Sequence, residues 1–173
     1  MQIKPHAAIL SLGSNLGKRI MWMGYAADAI DSLTDTHITA RSSIYETEPV
    51  DVPEKFRDEY FLNAVLLVET ILMPHRLSAA VHSIEARLQR RRDTPNQPRT
   101  IDIDIISFDR LISDKPSLIL PHPRAHERRF VLQPLSEIAP DLILPKQKKN
   151  VRALLKTLPE TPAVRISPEQ WTE

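Results

Sequence analysis

Two aspartates in the stretch Pro98–Asp109 have the spacing that suits a divalent metal ion. Asp102 and Asp104 alternate with isoleucines, which is the period of a half-buried strand. Side chains two apart on a strand share a face, so these carboxylates would lie about 6–7 Å apart. They could hold one or two Mg²⁺ ions, with substrate phosphates and waters completing the coordination. Arg99, just upstream, could pair bidentately with a phosphate. An ordinary strand with an acidic, solvated face is the alternative explanation.

A helix predicted to begin at Pro74 has polar residues beside its buried stripe. The stripe recurs at helical spacing and comprises Leu77, Ala80, Val81, Ile84 and Leu88. At 100° per residue, four polar residues fall within an arc of about 80° beside it. They are His82, Glu85, Gln89 and Arg92. A solvated helix face explains the same pattern, so the row alone does not decide between a site and a surface.

An aromatic residue and an amide share a face at the start of another predicted strand, residues 61–70. Phe61 offers a stacking surface, and Asn63 offers hydrogen-bond donors and acceptors, a combination that suits an aromatic heterocycle. A core phenylalanine beside an asparagine that bonds the adjoining loop is the alternative. The polar segment Glu48–Glu59 precedes this strand, and a loop of this length is a candidate wall or lid.

A glycine-rich segment near the start of the chain resembles a phosphate-binding P-loop but differs in its spacing. Residues 13–18 read Gly-Ser-Asn-Leu-Gly-Lys, one residue too short, and Arg19 stands where Ser or Thr would hold Mg²⁺. We interpret it as a strand-to-helix turn in which Ser14 or Asn15 could cap the helix.

Zinc and thiolate chemistry are not expected. His122 and His126 are four apart, but Pro123 lies between them and there is no His-Glu-x-x-His motif. The chain has no cysteine, which excludes disulfides and a cysteine nucleophile and is compatible with a cytoplasmic location.

Length and composition favour a single domain. The chain has 173 residues, of which 42% are apolar, enough for one good core. Its net charge of +1 does not indicate nucleic acid or an anionic membrane as a partner. No apolar run approaches the roughly 18 residues of a membrane span. We expect one domain over residues 1–173, with a core at about 6–145 and a C-terminal helix and tail over 146–173, the tail frayed at its end.

The order of predicted elements indicates the fold class. Strand, helix, strand, strand, helix, strand is the βαββαβ pattern of an α+β, ferredoxin-like core, with helices on one face of an antiparallel sheet. A single strand is expected over His37–Thr47, two short strand-like pieces near 110–113 and 117–120, and a closing helix at Val151–Leu158. We assign no regular element to residues 120–141.

Several motifs, taken in order, resemble a known family. Residues 12–17 read L-G-S-N-L-G, 42–50 S-S-I-Y-E-T-E-P-V, 61–65 F-L-N-A-V, 98–105 P-R-T-I-D-I-D-I, and 120–124 L-P-H-P-R. The chain resembles 6-hydroxymethyl-7,8-dihydropterin pyrophosphokinase over roughly residues 7–145. The resemblance implies Mg²⁺-dependent transfer of the β,γ-pyrophosphoryl unit of ATP to the pterin hydroxymethyl group, with AMP released, in folate biosynthesis. The cell compartment would be the cytoplasm and the protein a monomer.

The resemblance also implies roles for individual residues. Asp102 and Asp104 would hold two Mg²⁺ ions, and Arg90 and Arg92 would stabilise the transferring group. ATP would be contacted by His82, Glu85, Arg92, Arg99, Ile105, His122 and Arg128. The pterin would be contacted by Thr47, Glu48, Val50, Phe61, Asn63 and Phe130. Independently of the resemblance, crowded arginines repel one another unless an anion lies between them. We therefore expect the loops Asp93–Gln97 and Glu48–Glu59 to be mobile when empty and to order over the substrates once Mg²⁺-ATP binds. The chain departs from the family pattern at His82, Gln89 and Asn96.

Two other functions are compatible with parts of the sequence. A ferredoxin-like nucleic-acid-binding module could use the arginine cluster as a phosphate track, although aromatics are not interleaved with Arg87–Arg99. A nucleotide-sugar transferase could use the Asp-x-Asp pair, although such enzymes ordinarily need a larger domain.

Overall fold

The computed structural model describes residues 4–49, 53–89 and 98–172 of the chain. Its strands are β1 (His6–Ser14), β2 (Thr36–Arg41), β3 (Tyr45–Thr47), β4 (Phe61–Thr70), β5 (Asp102–Phe108), β6 (Ser113–Lys115), β7 (Leu118–Leu120) and β8 (Val164–Ile166). Its helices are α1 (Arg19–Asp31), α2 (Pro74–Arg87), α3 (Arg129–Ile138) and α4 (Val151–Leu155). Short 3₁₀ turns lie at Glu54–Phe56 and Ala125–Glu127. No helix in these described ranges is long and apolar enough to cross a membrane.

The main sheet is antiparallel and has β4 near its centre. Its strand order is β5–β1–β4–β3–β8, and β2 pairs with β4 on the same side as β3. Most of the ten residues of β4 are apolar and buried on both faces of the sheet, which is typical of a central strand. The predicted ferredoxin-like α+β core is therefore confirmed, with the β6–β7 hairpin and the C-terminal residues added to it.

The single strand predicted over 37–47 is interrupted, and side-chain hydrogen bonds explain the break. The Ser42 hydroxyl accepts the backbone N–H of Val65 at 2.9 Å, which replaces a regular ladder bond. The Ile44 N–H donates to the side chain of Gln170 at 2.8 Å instead of to a strand. The chain thus leaves the sheet at residues 42–44 and re-enters it as β3.

Helices cover both faces of the sheet, whereas the sequence predicted helices on one face. Leu10, Leu12, Leu62 and Leu66 point to the face that packs on α1 and α2. The alternate residues are also apolar: Ile9, Val65 and Ile106 bury against α3 and α4. Because full burial of such a side chain contributes about 1.5–3 kcal/mol, this second apolar face requires its own helical layer.

The C-terminal tail is paired and packed on the rest of the fold as far as Trp171, and the fraying expected at its very end stays a prediction. Residues 164–166 form β8 and pair with β3, with Val164 opposite Thr47. Trp171 packs against the α1–α2 side of the core, and its indole N–H donates to the Ser42 carbonyl at 2.8 Å. The closing helix predicted over 151–158 is shorter, and the Asn150 side chain caps it by accepting the Ala153 N–H at 2.9 Å.

Candidate active site

A cleft of about 520 Å³ lies on the α3 side of the sheet, beside the start of that helix. Its floor is set by strand register, because Asp102, Gly13 and Asn63 stand opposite one another on β5, β1 and β4. Directly opposed residues in an antiparallel sheet share a face. The carboxylate pair and the amide, which lie about forty residues apart in sequence, therefore line the same cleft.

One end of the cleft is formed by the two aspartates and the cations around them. Asp102 and Asp104 both line the cleft from β5, with 23% and 41% of their side-chain surfaces exposed. The Arg99 guanidinium donates to Asp102 Oδ2 at 2.7 Å, and the Arg128 guanidinium lies 3.8 Å from Asp104 Oδ2. Each carboxylate thus has an arginine close by, which limits their mutual repulsion in the absence of other cations.

Asn15 holds the backbone of Arg99 in place. The Asn15 side-chain oxygen accepts the Arg99 N–H at 2.8 Å, and the Asn15 N–H donates to the Arg99 carbonyl at 3.1 Å. The prediction that Asn15 or Ser14 caps α1 is wrong, because the N-cap residue is Lys18 and no side chain caps that end. The buried Asn15 amide instead joins the end of β1 to the segment leading into β5. It therefore positions Arg99, which could pair with a phosphate.

His122 is neutral in this environment. Burial, together with the nearby Arg128 guanidinium, lowers the pKa of His122 to about 4. Its Nδ1 accepts the backbone N–H of Arg124 at 3.2 Å, whereas the Arg128 guanidinium, which can only donate, lies beside Nε2, so the two contacts require different tautomers of the neutral ring. Nε2 lies 3.9 Å from Asp104 Oδ2 and 3.4 Å from Arg128. A neutral imidazole therefore faces the acidic end of the cleft.

The other end of the cleft combines ring surfaces with amide and hydroxyl groups. Phe61 and Phe130 line it from β4 and from the first turn of α3. The buried Asn63 donates to the Thr47 hydroxyl at 2.7 Å, which fixes the orientation of its amide. Glu48 also lines this end, and the Arg128 guanidinium lies 5.5 Å from the centre of the Phe130 ring. A planar heterocycle with polar edges fits such a surface.

Gly13 is a cleft-lining residue that the sequence interpretation missed, because it was assigned to a turn. It lies in β1 between Asn63 and Asp102. A Cβ at this position would stand 3.1 Å from the Asn63 side-chain oxygen and 4.0 Å from the Asp102 Cβ. Glycine thus keeps the floor of the cleft open between its two ends.

Some of the predicted site residues lie elsewhere in the described part of the chain. His82 is exposed on α2, Ile105 is buried in the core, and neither lines the cleft. Glu85 is buried behind β5, where its Oε1 accepts the N–H of Ile103 at 2.8 Å. It therefore contacts the strand segment between the two aspartates. Their assignment to ATP remains a prediction.

Three further candidates, Arg90, Arg92 and Val50, lie outside the described residues, as do the loop Asp93–Gln97 and part of the loop Glu48–Glu59.

The structure does bring together a large share of the predicted set. These are Thr47, Glu48, Phe61, Asn63, Arg99, Asp102, Asp104, His122, Arg128 and Phe130. The lining also includes residues to which the sequence assigned no ligand, namely Ser11, Arg124, Glu127, Arg129, Leu158, Pro159, Thr161, Pro162 and Val164.

Comparison with known proteins identifies the family. The model of the family described as 7,8-dihydro-6-hydroxymethylpterin-pyrophosphokinase (HPPK) matches residues 9–140. The chain belongs to the HPPK family. The prediction of a pyrophosphokinase is thereby confirmed, and the nucleic-acid-binding alternative is not favoured.

Relatives of this family are similar to the chain over most of its length. A 2-amino-4-hydroxy-6-hydroxymethyldihydropteridine pyrophosphokinase of Methylorubrum extorquens is 39% identical over 137 residues, covering 79% of this chain and 85% of the relative. The enzyme of the same name from Haemophilus influenzae is 34% identical over 161 residues, covering 93% of this chain and 98% of the relative. The match to the second is longer than the HPPK family model and extends beyond residue 140.

Solved structures support the HPPK fold. A crystal structure of wild-type Plasmodium falciparum HPPK-DHPS with pteroate superposes with a TM-score of 0.66 at 16% identity. The match covers 90% of this chain and 43% of that longer chain. At this identity the similarity concerns the fold alone.

Proposed function

We propose that this chain transfers the pyrophosphoryl unit of ATP to the hydroxymethyl group of 6-hydroxymethyl-7,8-dihydropterin, a step of folate biosynthesis. The observation that carries the proposal is the continuity of the cleft. One sheet face has a carboxylate pair with arginines at one end and an aromatic–amide surface at the other. A reaction that joins a polyphosphate to a planar heterocycle needs both ends at once.

The heterocycle end is suited to the pterin. Phe61 and Phe130 supply ring surfaces for stacking. Asn63 is oriented by its bond to Thr47 at 2.7 Å, so its side-chain oxygen is positioned to accept from an amino or ring N–H. An amide held in this way loses little conformational freedom on binding, which favours recognition of one edge of the ring. Thr47 and Glu48 border the same end.

The polyphosphate end is suited to ATP. Arg99 and Arg128 supply planar donors that pair well with phosphate oxygens, and His122 supplies a neutral imidazole beside them. The assignment of Arg90 and Arg92 to the transferring group extends this cationic end, and it rests on the family resemblance. Contacts of His82, Glu85 and Ile105 with the nucleotide are part of the same proposal.

The carboxylate pair fits Mg²⁺. Asp102 and Asp104 offer oxygen ligands on one face of β5 and are partly exposed to the cleft. In the described residues no group of three or more metal-binding side chains is present. This fits Mg²⁺, because it is normally held by one or two carboxylates plus substrate phosphates. Two ions are expected. When bound, they would neutralise phosphate charge and orient the polyphosphate.

The residues of the chain act by positioning and by electrostatics, and no protein nucleophile is required. In the proposed reaction the pterin hydroxyl oxygen bonds to the β-phosphorus of ATP, and the bond between that phosphorus and the oxygen bridging to the α-phosphate breaks. AMP leaves with that oxygen, and the hydroxyl proton passes to solvent. Arg99 and Arg128 hold the phosphates in line while Phe61 and Asn63 hold the acceptor.

The remaining parts of the proposal concern partners and location. ATP and the pterin are proposed as the ligands, with neither nucleic acid nor a membrane as a partner. The near-neutral net charge of +1 supports this. A monomer in the cytoplasm is also proposed.

AMP release measured by coupled assay tests the proposal. We expect AMP only when ATP, 6-hydroxymethyl-7,8-dihydropterin and Mg²⁺ are all present, and loss of release when Mg²⁺ is chelated. A pterin lacking the hydroxyl group is the matched control, because it can fill the ring site but cannot accept the group. AMP release with that control pterin, or without Mg²⁺, would contradict the proposal.

A further inference from the structure

The last part of the chain forms one wall of the cleft. Five residues beyond α4 line it: Leu158, Pro159, Thr161, Pro162 and Val164. They belong to a segment, residues 158–171, that we call the C-terminal strap. It lies beyond residue 140, where the match to the HPPK family model ends. This wall is largely apolar, in contrast to the charged end of the cleft around the aspartates.

Strand register places the strap at the pterin end. Val164 stands opposite Thr47 on β3, and Thr47 in turn stands opposite Phe61 on β4. The Glu48 N–H donates to the Ala163 carbonyl at 3.4 Å. The side chains of Phe61, Thr47 and Val164 therefore share one sheet face in neighbouring positions. Asp102 and Asp104 are on β5, at the opposite edge of the sheet.

The strap is held at its beginning by α3. The Arg129 guanidinium donates to the carbonyls of Pro159 at 2.7 Å and Leu158 at 3.0 Å. Arg129 directly precedes Phe130, so the same turn of helix supplies a ring surface and fixes the wall beside it. Bonds from a charged donor are stronger than neutral ones, so the wall has a defined position.

The end of the strap is anchored outside the cleft. Gln170 accepts the Ile44 N–H at 2.8 Å and donates to the Ile44 carbonyl at 2.9 Å, which pairs it with the backbone where β3 begins. The Trp171 indole N–H donates to the Ser42 carbonyl at 2.8 Å, and its ring packs against the main core. Neither Gln170 nor Trp171 lines the cleft, so this anchor can be altered without touching substrate-contacting groups.

We propose that the C-terminal strap is part of the pterin-binding end of the cleft and sets the affinity for the pterin but not for ATP. The inference rests on the proposed function. Two effects follow from the geometry. The strap closes one side of the ring site, and it pairs the outer edge of β3, which otherwise would present unpaired backbone groups. Loss of the anchor should therefore loosen both the wall and Thr47, whereas the phosphate end should keep its geometry.

Steady-state kinetics with each substrate varied separately test the strap. Trp171→Ala and Gln170→Ala should raise the KM for the pterin by about tenfold, the effect of one lost contact. The KM for ATP should change by less than about twofold, because the anchor lies away from the phosphate end of the cleft. Trp171→Phe, which keeps the ring packing, should restore part of the pterin affinity. Arg165→Ala is the matched control, because Arg165 is an exposed β8 residue whose side chain points away from Val164, and its pterin KM should be unchanged.

The outcomes separate this inference from the proposed function. A parent chain that makes no AMP from ATP and the pterin would contradict the proposed function. A parent chain that is active, with unchanged pterin KM in both anchor variants, would overturn the strap inference alone. Equal increases in both KM values would also overturn it. If an anchor variant does not fold by circular dichroism, Val164→Ala, which trims the wall itself, carries the same expectation and the same test.

Discussion

His122 illustrates how its surroundings determine the chemistry of a single side chain. By residue type it could have been a metal ligand or a proton carrier. Burial and Arg128 instead lower its pKa to about 4, and its Nδ1 accepts from the Arg124 backbone at 3.2 Å. It therefore presents a neutral ring, and not a cation, to the cleft. Neither spacing nor composition contains this information, because it depends on which groups surround the ring after folding.

The lowered pKa of His122 predicts a pH-dependent loss of stability. Its pKa in the folded protein is below the ordinary value of 6.5, so between these values the unfolded state binds the proton more readily. The neutral ring's contribution is complete above pH 6.5 and is lost as the pH falls through about 4. In urea titrations the free energy of unfolding should fall between pH 7 and pH 4.5 in both proteins. The fall should be smaller in His122→Asn than in the parent, by about 1–2 kcal/mol. An equal fall in both proteins would contradict this account of the ring.

The sequence predicted cleft-lining residues where a pattern and a chemical type coincided. Asp102 and Asp104 were found because strand alternation places two carboxylates on one face, and Phe61 and Asn63 were found for the same reason. Neither the space left by Gly13 nor the partners of Arg129 was predicted, for different reasons. The function of Gly13 is the space that it leaves beside Asn63. Arg129 acts through two carbonyls about thirty residues away, and no local signal marks such a partner.

At the scale of elements, long periodic segments were predictable and short ones were not. The apolar runs of β1 and β4 and the stripe of α2 match their predicted positions. Helix α3 was not assigned, because Pro134 lies inside it and proline normally interrupts a helix. Strand β8 has only three residues and forms because β3 offers it an unpaired edge. Its formation therefore depends on tertiary pairing with β3 and not on a local sequence pattern.

One tie between elements gives a prediction about stability. Glu137 on α3 accepts hydrogen bonds from the Ser43 N–H at 3.0 Å, the Ser43 hydroxyl at 2.9 Å and the Tyr45 hydroxyl at 2.8 Å. Burial and Glu137 together raise the pKa of Tyr45 to about 12. Glu137→Ala should lower the free energy of unfolding by about 1–2 kcal/mol in urea titrations, because several bonds to a charged acceptor are lost at a partly exposed site.

The control for Glu137 removes a carboxylate without such bonds. Glu160→Ala, at an exposed position after α4, should leave stability within about 0.5 kcal/mol of the parent. Tyr45→Phe should fall between the two, since it removes one bond of the set. If Glu137→Ala and Glu160→Ala unfold at the same urea concentration, α3 is not tied to β3 by these contacts.

For the molecule as a whole, the order of elements was enough to predict the ferredoxin-like sheet, and the motifs were enough to predict the family. The second helical layer was not predicted, because the burial of Ile9, Val65 and Ile106 becomes evident only once the strands are aligned. The cleft is a product of that layer. It lies between the start of α3, the strap and the exposed part of the same sheet face. The sequence therefore predicts the polar and aromatic residues of the cleft better than it predicts the residues that enclose them.

The turnover of the aspartate variants is the most direct test of this account. Asp104→Ala and Asp102→Ala should remain folded, because both side chains are partly exposed on the cleft face of β5. Their rates of AMP release at saturating ATP, pterin and Mg²⁺ should fall by about 10²-fold or more, the effect of losing a transition-state electrostatic contact. Asp114→Ala, at an exposed position on the β6–β7 hairpin, should retain the parental rate. Near-parental AMP release by either folded cleft variant would contradict the assignment of this cleft as the pyrophosphoryl-transfer site.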